Sequence, residues 1–186
     1  MTLANKITLL RVALIPLFLA CVFLKAQPLG TYLAAGVFTI AALTDSIDGW
    51  VARVQSQVTA MGKFLDPLAD KILVSAALIS LVSLGRLAAW VAVVIIAREF
   101  AVSALRLVAV TEGVVIAAGP LGKLKTLTQV SAIIVILVGP LGSFFGHDAG
   151  WWLMGAALLL TLLSGLQYFL RSAPVWEGKG SPTAEQ

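Results

Sequence analysis

Apolar residues occur along this chain in six long runs that are separated by short polar breaks. The runs cover residues 7–24, 31–50, 64–84, 87–110, 127–145 and 151–170. Each is close to the 20 or so residues that an α-helix needs to cross the hydrocarbon core of a bilayer. Glycine and proline mark the breaks, which leaves only irregular turns between the runs. The pattern predicts an all-α membrane protein built as a bundle of six transmembrane helices.

Composition supports a lipid environment and removes several kinds of site. Of the 186 residues, 60% are hydrophobic and only 12% are charged, whereas an average globular chain is about one quarter charged. We expect one membrane domain over residues 1–170 and a short polar cytoplasmic tail over 171–186. The single cysteine, Cys21, cannot form an intramolecular disulfide, and the single histidine, His147, excludes a multi-histidine metal site.

The basic residues predict orientation rather than nucleic-acid binding. The net charge is +4, but the 13 Lys and Arg residues are scattered along the chain and form no continuous basic stretch. Most of them flank one side of the predicted membrane: Lys6, Arg11, Arg53, Lys63, Lys123, Lys125, Arg171 and Lys179. Only Lys25 and Arg86 flank the other side. The positive-inside rule then predicts that both termini are cytoplasmic.

Four aspartates interrupt the second and third apolar runs near their cytoplasmic ends: Asp45, Asp48, Asp66 and Asp70. A charged residue costs about 2.5 to 3.5 kcal/mol at the bilayer centre, and such residues usually line a functional interior. At 100° per residue, the members of each pair share one helical face. An antiparallel hairpin with its turn near residues 54–61 brings the two faces together. We therefore expect four carboxylates around one polar cavity that faces the cytoplasm.

Divalent metal is the simplest counter-charge for these four carboxylates. The basic residues nearby are few, mainly Arg53, Lys63 and Lys71. Oxygen ligands favour Mg²⁺, Mn²⁺ or Ca²⁺ over zinc or copper, and two bridged ions form a site suited to displacement at phosphorus. Small residues at Gly49 and Ala52 leave room for a large ligand on the acidic face. The alternative is that the aspartates only reach towards the interface or pair with Arg53 and Lys71.

The spacing of these residues resembles the signature of the CDP-alcohol phosphotransferase family. Eight fixed residues lie within 26 positions, in the pattern Asp45-x2-Asp48-Gly49-x2-Ala52-Arg53-x8-Gly62-x3-Asp66-x3-Asp70. The resemblance implies that an alcohol attacks the β-phosphorus of CDP-diacylglycerol and that CMP is released. It also implies a multi-pass protein of the bacterial inner membrane that forms a homodimer. The absence of a convincing cleavage site after the first run agrees with a retained helix.

The resemblance also implies a role for each residue of the signature. Two ions, Mg²⁺ or Mn²⁺, are expected on the four aspartates, with Asp70 as the catalytic base. The CDP-lipid is expected to contact a further set that includes small and basic residues: Asp48, Gly49, Ala52, Arg53, Gly62, Asn5 and Thr8. A carboxylate base also follows from the position of His147, which lies on the opposite side of the predicted membrane.

A second group of cations suggests that the acceptor alcohol carries a phosphate of its own. Beyond the signature, Arg98 and Arg106 lie in the fourth run, and Lys123 and Lys125 open the fifth helix just before its apolar run. Arg98 is deep in an apolar helix and needs an anionic partner. Glu99 is its neighbour in sequence, but it points about 100° away on a helix, so the two do not automatically pair. The surrounding residues resemble the family branch whose acceptor is sn-glycerol 3-phosphate.

Other interpretations remain open from the sequence. For Lys123 and Lys125, the alternative is simple anchoring at the cytoplasmic interface. Within the family, the acceptor can instead be an inositol phosphate, serine or phosphatidylglycerol. From a different class, a divalent-cation transporter explains four aspartates but not the cationic group, which would repel the transported ion.

Overall fold

The computed structural model describes residues 3–24, 26, 28–55, 60–111, 119–139, 143–144 and 147–176. It describes side chains within 9–24, 26, 28–44, 68–110, 119–139 and 147–170. The described part of the chain forms six helices: α1 (Leu3–Val22), α2 (Leu29–Gln55), α3 (Ala60–Ser83), α4 (Ala89–Thr111), α5 (Pro120–Val138) and α6 (Ala149–Trp176). They follow the order of the six apolar runs, so the all-α prediction is confirmed.

Two of the described helical segments are long and apolar enough to cross a membrane, namely Pro120–Val138 and Ala149–Leu170. All six helices also expose large apolar side chains, such as Leu10 on α1, Ile79 on α3 and Leu107 on α4. An apolar surface of this extent is characteristic of contact with lipid rather than water. The chain is therefore a helical protein with membrane-spanning character.

The fifth apolar run, residues 127–145, differs from helix α5 at both ends. Helix α5 begins at Pro120, directly after Gly119, because proline at the first helical position loses no intrahelical hydrogen bond. It ends before Gly139, whose φ of 106° lies where side-chain-bearing residues are rarely found. Residues beyond it form two short antiparallel strands, β1 (Ser143–Phe144) and β2 (His147–Asp148).

The apolar core lies between α1, α2 and α3 and continues along one face of α5. Phe18 of α1 and Phe38 of α2 are fully buried, and their ring centroids are 5.9 Å apart. Alanines such as Ala34 and Ala77 are buried at the same contacts, and small residues of this kind let helices approach closely in membrane proteins. This core holds α3 in place, and Asp70 lies on α3.

Arg86 closes the end of the bundle that is remote from Asp70. It lies in the turn between α3 and α4, and its Nη1 donates to the carbonyls of Ile136 and Leu137, at 3.0 Å each. These carbonyls belong to the last turn of α5, where helical partners are missing and the helix dipole favours a positive charge. Arg86 therefore caps α5, a role that counting charges along the sequence did not reveal.

Candidate active site

A cavity of about 600 Å³ lies between α2, α3, α4, α5 and the end of α6. We call it the basic cavity, because its described lining includes five basic and two acidic side chains: Lys71, Arg98, Arg106, Lys123, Lys125, Asp70 and Glu99. Ser103, Thr126 and Tyr168 also line it. The cavity therefore joins one aspartate of the signature to all four cations that the sequence assigned to the acceptor phosphate.

Helix α4 contributes its polar side chains to the basic cavity from one face. Arg98, Val102 and Arg106 follow one another at four-residue steps, and Glu99 and Ser103 lie beside them. Residues four apart on a helix lie one above the other. The polar positions of this otherwise apolar helix therefore form a single stripe towards the cavity.

Glu99 is the anionic partner of two cations in the basic cavity. Its Oε1 accepts a hydrogen bond from Arg98 Nη1 at 3.3 Å and another from Lys125 Nζ. Arg98 and Glu99 therefore pair in the structure, although their positions on the helix differ by about 100°. The arginine side chain is long enough to reach its neighbour. Lys125 is only 4% exposed, so the Glu99 carboxylate neutralises a charge that is almost completely buried.

The two lysines of α5 occupy different environments, although the sequence grouped them together. Lys125 continues the buried face of α5, which also contains Gln129, Ala132, Ile133 and Leu137. Lys123 is exposed at the mouth of the cavity. Positions two apart on a helix differ by about 200°, so only one of the two can face the bundle. Simple anchoring at the interface therefore does not describe the buried Lys125, and it stays an alternative for Lys123, which also lines the cavity.

Two residues of α6 hold the arginines, and the sequence analysis missed both. Ser164 Oγ accepts from Arg98 Nη2 at 2.8 Å. The Tyr168 hydroxyl accepts from Arg106 Nη2 and, at 3.3 Å, from the backbone N–H of Gly119. The available signal was the spacing of the hydroxyl residues Thr161, Ser164 and Tyr168, which places them on one helical face within an apolar run.

Asp70 is the one aspartate of the signature whose side chain lies in the described part of the chain. It is partly buried and lines the basic cavity beside Lys71. The backbone of α2 and α3 carries the other signature residues in helical conformation. The remaining predicted site residues lie on described helices but outside the described side chains: Asn5, Thr8, Asp45, Asp48, Gly49, Ala52, Arg53, Gly62 and Asp66.

The described donors are compatible with the expected divalent ions. Asp70 supplies carboxylate oxygen, the ligand type that Mg²⁺ and Mn²⁺ prefer, and it faces an open cavity with room for further ligands. The helices α2 and α3 that carry the four aspartates pack against one another. Convergence of all four carboxylates on one pair of ions stays a prediction.

Arg11 of α1 has an environment that the sequence analysis did not foresee. It was counted among the charges at the membrane edge, but its side chain is completely buried. It follows Thr8 and Asn5 at three-residue steps on a helix that packs against α2 and α3. A completely buried guanidinium cannot act as an anchor in the interfacial water, so Arg11 faces the interior of the bundle.

Comparison with known proteins identifies the family of this chain. Residues 1–163 match the model of the CDP-alcohol phosphatidyltransferase family. The chain is 44% identical to "CDP-diacylglycerol--glycerol-3-phosphate 3-phosphatidyltransferase" of Bacillus subtilis, over 94% of this chain and 95% of the relative. It is 41% identical to "Probable phosphatidylglycerophosphate synthase" of Mycobacterium tuberculosis, over 91% and 81%. It is 35% identical to a Rickettsia bellii protein with the same name as the Bacillus relative, over 90% and 93%. The chain therefore belongs to the CDP-alcohol phosphatidyltransferase family.

Proposed function

We propose that this protein transfers the phosphatidyl group of CDP-diacylglycerol to sn-glycerol 3-phosphate, forming phosphatidylglycerophosphate and CMP. Membership of the family supports the CDP-lipid as donor. The names of the Bacillus and Rickettsia relatives support the acceptor. The observation that carries the proposal is the basic cavity, where Asp70 and a surplus of cations line the same space.

The charge of the basic cavity suits a phosphorylated acceptor. Glu99 pairs with Arg98 and Lys125, but its single charge does not neutralise both cations, and Arg106 and Lys123 add two more positive charges. Glycerol 3-phosphate carries close to two negative charges at neutral pH. Charge-assisted bonds to phosphate are stronger than neutral ones, and arginine can supply them in pairs. An uncharged acceptor would leave this surplus uncompensated.

Asp45, Asp48, Asp66 and Asp70 are the residues that would hold two Mg²⁺ or Mn²⁺ ions. When bound, such ions polarise phosphoryl oxygens and stabilise the charge that develops during displacement. The CDP moiety is proposed to lie against Asp48, Gly49, Ala52, Arg53 and Gly62, with Asn5 and Thr8 of α1 on its other side.

Asp70 is proposed to hold the proton that the acceptor hydroxyl loses. The hydroxyl oxygen forms a bond to the phosphorus that carries the diacylglycerol. The bond between that phosphorus and the oxygen that joins it to CMP breaks, and CMP leaves with this oxygen. The proton passes to the Asp70 carboxylate, which lies in the same cavity as the phosphate-binding cations.

The proposed setting is the inner membrane of a bacterium, with six spans and both termini in the cytoplasm. The basic cavity then opens to the cytoplasm, where glycerol 3-phosphate and CMP are soluble. The excess of Lys and Arg on that side and the apolar outer faces of all six helices support this orientation. A homodimer is proposed from the family resemblance.

The test is incubation of the purified protein with CDP-diacylglycerol, Mg²⁺ and a panel of labelled acceptors. We expect phosphatidylglycerophosphate with glycerol 3-phosphate and little product with inositol phosphate, serine or phosphatidylglycerol. Another product would reassign the acceptor. Metal uptake into proteoliposomes without lipid turnover would instead support the transporter.

Substitutions separate the two substrates. Losing a hydrogen bond to a charged group costs about 1.5 to 3 kcal/mol, or roughly tenfold to hundredfold. Arg98→Ala or Arg106→Ala should raise the KM for glycerol 3-phosphate by that order, with little change in the KM for CDP-diacylglycerol. Arg53→Ala should show the opposite bias. If both α4 variants raised only the KM for CDP-diacylglycerol, these arginines would not bind a phosphate group of the acceptor.

A further inference from the structure

Helix α6 presents a short polar surface to the two arginines of α4. We define it as the α6 cradle, formed by Ser164, Gly165 and Tyr168. We propose that this cradle sets the positions of Arg98 and Arg106 and thereby determines the affinity for the acceptor phosphate. The proposal rests on the proposed function, and it assigns a positioning role to residues that lie outside both the aspartate signature and the cationic group.

Ser164 fixes the direction of the Arg98 guanidinium. The serine is fully buried, and its hydroxyl donates to the carbonyl of Leu160 at 2.6 Å. A hydroxyl has one proton to donate and lone pairs to accept. Because the proton is used within α6, the oxygen faces Arg98 as an acceptor, and Nη2 donates to it at 2.8 Å.

Gly165 lets the Arg98 side chain lie directly on the backbone of α6. A Cβ at this position would be 3.2 Å from Arg98 Cγ and 3.3 Å from Arg98 Nε. Contacts this short force the neighbouring atoms to move. Glycine weakens a helix by up to about 1 kcal/mol relative to alanine, so its presence in the middle of α6 is explained by this close approach.

Tyr168 contacts both arginines and links them to the start of α5. The Arg106 guanidinium carbon lies 4.8 Å from the centre of the tyrosine ring, and that of Arg98 lies 5.8 Å away. Both distances are within the range of cation–π attraction. The hydroxyl also accepts from Arg106 and from the N–H of Gly119. One ring therefore fixes the spacing of two guanidinium groups.

Each arginine has one further donor that no described residue satisfies. Arg98 Nε and Arg106 Nε are buried and have no hydrogen-bond partner among the described residues. Buried donors are almost always paired. Arginine offers donors in a fixed planar fork that matches phosphate oxygens. The cradle engages Nη2 of each arginine, and both arginines line the basic cavity in which the anion would bind.

The decisive variant is Tyr168→Phe, which keeps the ring and removes only the hydroxyl. Arg106 then loses the acceptor that orients it, and we expect the KM for glycerol 3-phosphate to rise about tenfold. We expect kcat and the KM for CDP-diacylglycerol to change less than twofold. The matched control is Tyr32→Phe, which removes the hydroxyl of the 49% exposed tyrosine on α2 and should change neither constant.

A second pair of variants tests the cradle independently of Tyr168. Ser164→Ala should raise the KM for glycerol 3-phosphate in the same way. Its control is Thr161→Val, which removes a buried hydroxyl one turn away that donates only to its own helix, at the carbonyl of Ala157. Gly165→Ala should displace Arg98 and add to the same effect.

The outcome separates this proposal from the proposed function. An unchanged KM for glycerol 3-phosphate in Tyr168→Phe and Ser164→Ala would overturn the positioning role, as would an equal rise in the KM for both substrates. If the wild-type protein failed to use glycerol 3-phosphate, the proposed function would fall. The positioning role would then be tested by the rise in Tm on adding inorganic phosphate. It requires a clear rise for wild type and a smaller rise for Tyr168→Phe.

Discussion

Removing the charge of Glu99 tests whether the basic cavity is held together electrostatically in the absence of substrate. The substitution Glu99→Gln keeps a side-chain oxygen that can accept from Arg98 and Lys125 but removes the negative charge. Loss of one member of a fully buried ion pair costs about 3 to 5 kcal/mol. Glu99 is 21% exposed at the cavity wall, and glutamine still accepts a hydrogen bond, so we expect a smaller loss of about 2 kcal/mol.

The assay is thermal unfolding of the purified protein in detergent, with and without glycerol 3-phosphate. For a chain of this size, 1 kcal/mol shifts Tm by about 2 to 4 °C, so Glu99→Gln should unfold about 4 to 8 °C below wild type. Glycerol 3-phosphate should raise the Tm of the variant more than that of wild type, because the phosphate meets two cations that have lost their carboxylate.

Two controls make this result specific. Asp148→Asn removes an exposed carboxylate from β2, far from the basic cavity, and should change stability by less than about 0.5 kcal/mol. Adding Lys125→Gln to Glu99→Gln should recover part of the lost stability, because the unpaired cation is removed as well. Equal Tm values for Glu99→Gln and wild type, with equal shifts on adding glycerol 3-phosphate, would refute the reasoning.

The remaining predictions concern metal, base and orientation. EDTA should abolish activity and Mg²⁺ or Mn²⁺ should restore it, whereas full turnover in metal-free buffer would contradict a two-metal site. Asp70→Asn should lower kcat strongly while CDP-lipid binding survives better than in Asp45→Asn, and equal losses of binding would make Asp70 chiefly a metal ligand. In a Cys21→Ala background, Ser172→Cys should react with an impermeant thiol reagent only in inverted vesicles and Ser143→Cys only in right-side-out vesicles. The reverse pattern would overturn the proposed topology.

The helices could be predicted from the sequence because each follows one long apolar run. The family resemblance, which depended on eight residues at fixed spacing, is also confirmed. The limits of α5 could not be predicted from hydropathy alone. They depend on proline at the first helical position and on the backbone conformation of Gly139, and neither changes the average apolar character of the segment.

The cations of the basic cavity were predicted as a group, but their individual environments were not. Whether a lysine of α5 faces the bundle or the interface depends on the rotation of the helix about its axis. In the structure Lys125 faces the bundle and Lys123 is exposed. Ser164 was missed because a hydroxyl group costs little in an apolar helix when it donates to its own backbone, and Tyr168 was missed because most of its side chain is apolar. Such residues do not break the pattern that identifies a span.

Helix α5 is held by hydrogen bonds at both of its ends, from α6 at its start and from the turn between α3 and α4 at its end. The Tyr168 hydroxyl accepts from the N–H of Gly119 at its start, and Arg86 donates to its last carbonyls. A helix held in this way cannot slide along its axis like a piston without breaking bonds at one end. Lys125 is therefore held at one height within the bundle, and we expect an arriving anion to be accommodated by rotation of the side chains around it rather than by movement of α5.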